Sequence, residues 1–127
     1  MSESRVTHGV VVEDADATFL ARILGDDGDP VQQADVSAIA AKVYNESNSN
    51  TQTYSAVVIV ANSVFNALQT DDRWTRDSTG FNFAHLVPYT AFPTGGHRYR
   101  VEFKFSLATG SYCFALFQVV ATSILGG

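Results

Sequence analysis

One cysteine, one tryptophan, one methionine and three prolines occur in 127 residues. The lone Cys113 excludes an intrachain disulfide and any metal site built from several cysteines, and it suits folding in a reducing cytosol. Charge is scarce as well. Asp, Glu, Lys and Arg make up 17% of the chain, against about 25% in an average globular protein. The net charge is -5, and no run of Lys and Arg offsets it, so phosphate-dominated nucleic-acid binding is not expected. The first residues, Met1-Ser2-Glu3-Ser4-Arg5, lack the apolar core of a signal peptide. No apolar run approaches transmembrane length, since Gln118 and Thr122 interrupt the last one, and no membrane partner is expected. A Gly-rich phosphate loop and a Gly-x-Ser-x-Gly elbow are both missing. No catalytic residue, cofactor or metal is assigned, and an enzyme is not expected.

What remains is apolar: 46% of the residues are hydrophobic. The length suits one domain, which would bury roughly two-thirds of the surface exposed by the unfolded chain. So few charges cover a small surface poorly, and some apolar area is expected to meet another subunit. Residues 1–8 read as a polar arm, 9–121 as the folded domain and 122–127 as a tail. Within the domain, Gly9–Val12 is a short strand candidate, Val36–Tyr44 reads as a strand in preference to a helix capped by Asp35, and side chains alternate along Thr18–Leu24, Phe81–Val87, Tyr99–Leu107 and Ser111–Val120, which marks strands. Phe19 and Ile23 share one face of Thr18–Leu24. Phe81, Phe83, His85 and Val87 share one face of another, and Val101, Phe103 and Phe105 lie inward on the next. Tyr54–Ala61 is apolar on both faces and reads as a central, doubly covered strand. Val64, Phe65 and Leu68 are spaced as on one turn of helix, with Asn62 or Ser63 as its cap. The stretch Ser63–Pro88 thus predicts a helical crossover, a loop bearing Trp74, and a strand. Ser111–Val120 is apolar on both faces, so Tyr112, Phe114, Phe117 and Val119, with Ile124 and Leu125 beyond, are the expected interface. Phe19, Ile23, Trp74, Phe81, Phe83, Val101, Phe103 and Phe105 are the expected core.

About seven short strands punctuated by turns predict an all-β, immunoglobulin-like antiparallel sandwich with one short helical crossover. Asp77-Ser-Thr-Gly80-Phe81-Asn-Phe83 resembles the corner before the sixth strand of such domains. Here Phe81 has no hydroxyl, and Phe83 stands where a disulfide cysteine would be. The wider layout resembles the small immunoglobulin-like modules of tailed-bacteriophage virions. It is carried by Phe19-x-Ala21-Arg22-Ile23, Asp27-Gly28-x-Pro30-Val31, Ala34-Asp35-Val36-Ser37, Val43-Tyr44, Leu68-Gln69-Thr70-Asp71-Asp72-Arg73-Trp74 and Phe92-Pro93-x-Gly95. That resemblance implies a structural virion protein, assembled in the host cytoplasm. Its partners would be the major capsid protein or other virion proteins.

The expectation is a capsid decoration or cement protein that is a homo-oligomer, a trimer in preference. The alternative is a tail, baseplate, fibre or head–tail adaptor module. A third class remains open. Asp26-Asp27-Gly28-Asp29, joined by Glu13, Asp14 and Asp16, could bind calcium through carboxylates, although the EF-hand spacing is missing. Trp74 with Arg73 and Arg76 could form a carbohydrate platform. His8, His85 and His97 share no metal-ligand spacing, and Cys113 reads as a buried thiol.

Overall fold

The computed structural model describes residues 6–25 and 27–123. Eight strands follow in order: β1 Val6–Val12, β2 Ala17–Ala21, β3 Val36–Asn45, β4 Thr51–Val58, β5 Val64–Gln69, β6 Phe81–Val87, β7 Arg98–Leu107 and β8 Tyr112–Thr122. One helical turn, α1 at Val60–Ser63, joins β4 to β5. The five-stranded sheet has the order β1-β8-β7-β3-β4 and the three-stranded sheet the order β2-β6-β5. Every pairing is antiparallel except β1 with β8. The two sheets pack as an all-β, immunoglobulin-like sandwich, with eight strands where about seven were expected. In the lettering of that fold, β2, β6 and β5 stand at B, E and D, and β3, β7 and β8 at C, F and G.

Period-two alternation explains most of this. Val101, Phe103 and Phe105 are fully buried from β7, while Lys104 on the opposite face is exposed. The inner faces meet in a cluster of aromatic rings. Phe103 lies 4.9 Å from Phe83, 6.1 Å from Phe19 and 5.9 Å from Phe117 between ring centroids. The geometries are tilted or edge-on, as ring quadrupoles favour. All eight expected core residues are buried. Trp74 and Phe81 form a satellite under the β5–β6 loop, with ring centroids 5.6 Å apart, and Phe65 packs edge-on to Phe81.

Four expectations change. First, the helical turn is Val60–Ser63, with Ile59 at its N-cap position and no side-chain cap, and Val64–Leu68 belongs to strand β5. Val64 is buried because it pairs with Phe83 in β6. That strand then bulges before Gln69 meets Phe81, so its apolar spacing mimics a helix. Second, β4 is an edge strand, not a central one. It pairs with β3 alone, and Val57 is 83% exposed. β-branched residues on both faces satisfy strand geometry without proving that both faces are covered. Third, the corner lies elsewhere. β6 occupies the E position, and the F position belongs to β7. Tyr99, near the start of β7, does carry a hydroxyl. It accepts a bond from the Thr94 amide at 3.0 Å and lies 3.4 Å from the Thr94 carbonyl. This is a tyrosine-corner arrangement, with Val101 two residues on, where the second cysteine of antibody domains would stand. Fourth, β1 starts at Val6, inside the stretch read as an arm, and β8 runs to Thr122.

A buried amide was not anticipated. Asn82 in β6 is fully buried. Its Oδ1 accepts from the Ile23 amide at 2.7 Å, and its Nδ2 donates to the carbonyls of Ile23 and Val31, both at 3.0 Å. One side chain thereby supplies the ladder bonds that the end of β2 would otherwise lack, and it fixes the β2–β3 loop.

Candidate interaction surface

The outer face of the five-stranded sheet carries the most distinctive surface. β8 turns Tyr112, Phe114, Leu116, Gln118 and Val120 outward, because Ala115, Phe117, Val119 and Ala121 face the core. β1 lies beside it with Val10 opposite Val120 and Val12 opposite Thr122. Tyr112 is 56% exposed and Val10 72%, and Phe114, Val12 and Val120 are also exposed. The result is an apolar strip two strands wide.

The charges beside the strip are paired with one another. Glu46 lies 3.0 Å from Arg100 Nη1 and 3.3 Å from Arg98 Nε, and it accepts from Gln118 Nε2 at 2.8 Å. Burial opposes ionisation of Glu46, but the bonds from Gln118 and Arg100 outweigh it, and its carboxyl is held below the ordinary value. Arg100 Nε also donates to Glu102 at 2.6 Å, and its guanidinium stacks over Tyr44. The Lys104 ammonium sits 4.1 Å above the centre of the Tyr112 ring. With these charges mutually satisfied, the strip is the part of the face whose burial would gain most free energy.

Of the expected interface residues, Tyr112 and Phe114 lie on this strip. Phe117 and Val119 do not: they are 8% and 3% exposed, and Phe117 stacks edge-on to Phe19 at 4.9 Å. Alternation assigns them to the inner face, which the other sheet covers. Ile124 and Leu125 lie outside the described residues. Val10, Val12 and Val120 were not anticipated. The Val10-Val11-Val12 run was the available signal, but only the parallel pairing of β1 with β8 shows that it widens the strip.

The rival sites do not assemble. Trp74 is 9% exposed; its Nε1 donates to Asp77 at 3.0 Å, and Arg76 and Phe81 lie against its ring, so no open stacking platform remains. Asp77 is the hub of that loop. It takes both Arg22 guanidinium nitrogens, at 3.1 and 2.9 Å, and the amides of Thr79 and Gly80. The bond from Arg22, then those from Trp74 and Gly80, hold its carboxyl far below the ordinary value. In the proposed calcium turn, Asp27 accepts from the Asp29 amide, and Asp26 lies outside the described residues. Glu13 and Asp16 cannot join it. They bond the amides of Gly95 and Tyr89 at the other end of β2. Among the described residues, no group of three or more His, Cys, Asp or Glu side chains is placed to hold a metal.

The histidines also stay apart. His97 Nδ1 meets Asn45 Nδ2 at 3.0 Å, and the side chain of His8 lies outside the described residues. Cys113 is half-buried and packs against the core. His85 is half-buried, edge-on to Phe103 and 3.2 Å from the Tyr54 hydroxyl. Burial lowers its pKa from the ordinary 6.5. As pH falls below about 6.5, the unfolded chain binds a proton there before the folded chain does, so this group costs stability progressively until the lowered folded pKa is passed. His85→Gln should therefore flatten the loss of stability on mild acidification, read as denaturation midpoints from pH 7 downward. An unchanged slope would show that His85 is not its source.

No family model matches the chain, and the comparisons find no similar curated protein and no similar solved structure.

Proposed function

We propose that this chain is a non-enzymatic structural protein of a tailed-phage virion, which decorates and cements the capsid exterior. The strip formed by Tyr112, Phe114, Val120, Val10 and Val12 is the contact surface for a shell protein. The observation that carries this reading is the strip itself: exposed rings and valines side by side on two adjacent strands, beside charges that already have partners. The resemblance of the sequence layout to immunoglobulin-like virion modules supports the choice of a shell as partner. A contact near 800 Å² per partner is the usual size for a stable interface, and repetition over the particle multiplies modest single contacts into firm attachment.

Quantitative mass spectrometry of purified virions should find the protein at a copy number comparable to that of the shell subunits. A copy number matching a tail ring would move it to the tail or baseplate, and absence from the particle would end the virion reading. Phe114→Ser combined with Val10→Ser should abolish sedimentation with shells while leaving the thermal midpoint close to that of the parent, because both side chains are exposed. Undiminished binding by this variant would remove the strip from the interface.

A further inference from the structure

We propose that β4 is a self-pairing edge, adding antiparallel to β4 of a second copy across a twofold axis and joining two five-stranded sheets into one. The inference is independent of the virion reading and uses the opposite edge of the sheet from β1. Exposed edge strands carry backbone groups able to pair with another chain, and proteins usually protect them with charges, prolines, bulges or covering loops. On β4 the protection is confined to the lower end. There Thr53 is the extra residue of a bulge, between the pairs Val43–Tyr54 and Tyr44–Gln52. Its hydroxyl also donates to the Ala91 carbonyl at 2.8 Å, which draws the Tyr89–Ala91 turn against the strand.

Beyond that point β4 keeps regular register with β3 from Tyr54 to Val58. No Asp, Glu, Lys, Arg or Pro occurs anywhere from Ser47 to Thr70. The outward side chains Ser55, Val57 and Ile59 are all exposed. The other edges differ: β5 is bulged, β1 runs into Glu13-Asp14-Ala15-Asp16, and β2 is flanked directly by Asp16 and Arg22.

The occupant follows from charge and symmetry. A neutral strand offers no counter-charge to a charged peptide, whereas self-pairing sets no like charges against each other, although each copy carries a net charge of -5. A twofold axis normal to the sheet keeps outward residues outward. Centred on Val57, it places Val57 against its own copy and Ser55 against Ile59, so the exposed valine of each copy is covered by that of the other. The paired segment Ser55–Ile59 is about 17 Å long and would supply backbone bonds along that length.

Sedimentation velocity of the full chain over a concentration series should show a monomer–dimer equilibrium. Hydrogen exchange within Tyr54–Val58 should slow as concentration rises. Val57→Lys puts two ammonium groups opposite each other at the dyad and should weaken the dimer at least roughly tenfold. Phe114→Ser, three strands away on β8, should leave dimerisation unchanged. Ser55→Lys, at a second exposed position, replaces Val57→Lys if circular dichroism shows that variant unfolded. A chain that is monomeric throughout, a trimer, a dimer that survives the lysine variants, or exchange in β4 that ignores concentration would each overturn the proposal.

Discussion

Phe103→Ala is expected to cost about 3–5 kcal/mol of folding stability, the usual range for emptying a buried phenylalanine site. Phe103 is fully buried at the middle of β7, between β3 and β8. Its ring meets Phe19 and Phe83 from the facing sheet, Phe117 from its own, and His85. Four rings surround one, and none can move inward without leaving its own strand position, so the vacated volume stays largely open. Set against a total stability of about 5–15 kcal/mol for a typical domain, this is enough to leave a substantial unfolded population at 37 °C. Urea denaturation followed by circular dichroism checks it, with Phe103→Leu as the milder comparison. A midpoint equal to that of the parent chain would mean that the two sheets are not joined through this ring.

Asn82→Ala should cost about 3 kcal/mol by a different route. It opens little volume, but it strips the Asn82 partner from the Ile23 amide and the Val31 carbonyl, while the Ile23 carbonyl keeps the Val31 amide. A buried polar group left unsatisfied costs about 1–3 kcal/mol, and water entering the freed space recovers part of the sum. The effect should be local as well as global. Amides of the β2–β3 loop should exchange faster than the rest of the sandwich, and Trp74, held under the neighbouring β5–β6 loop, reports the global transition by its fluorescence. A change within about 0.5 kcal/mol, the range of an ordinary surface substitution, would show that the loop holds its conformation without the amide.

The contrast between these two residues shows where the sequence was legible. Phe103 lies in a faultless alternation from Tyr99 to Leu107, and such a pattern declares both the strand and its inward face. Asn82 lies in an equally good strand, yet its type suggests a turn or solvent. Its role depends on a loop some fifty residues earlier (Ile23 and Val31), which no local pattern shows. The same limit explains β4. Valine and isoleucine on both faces specify extended backbone, but whether a third strand covers the far side is a matter of topology. Val64–Leu68 misled because a bulged strand can repeat its apolar residues at helical spacing. At the interaction surface, Tyr112 and Phe114 were legible as surplus on a strand with two apolar faces. Which of its faces was the inner one was not, and so Phe117 and Val119, on the opposite face, stood among the expected interface residues beside Tyr112 and Phe114. Val10 and Val12 required knowledge of which strand stands beside β8.

The parallel pairing of β1 with β8, in which Val6 meets Leu116 and Val12 meets Thr122, sets a condition on assembly inside the cell. The first strand of this sandwich to be synthesised has its sheet partner in the sandwich's last, and the loop between them must close before that pairing contributes anything. Until then Val10, Val11 and Val12 wait unpaired in a nascent chain, where they are open to chaperones or to the same segment on a neighbouring polysome. Completion of the sandwich thus waits for synthesis of Tyr112–Thr122, and a product truncated before Tyr112 would carry a sheet that cannot seal its own margin.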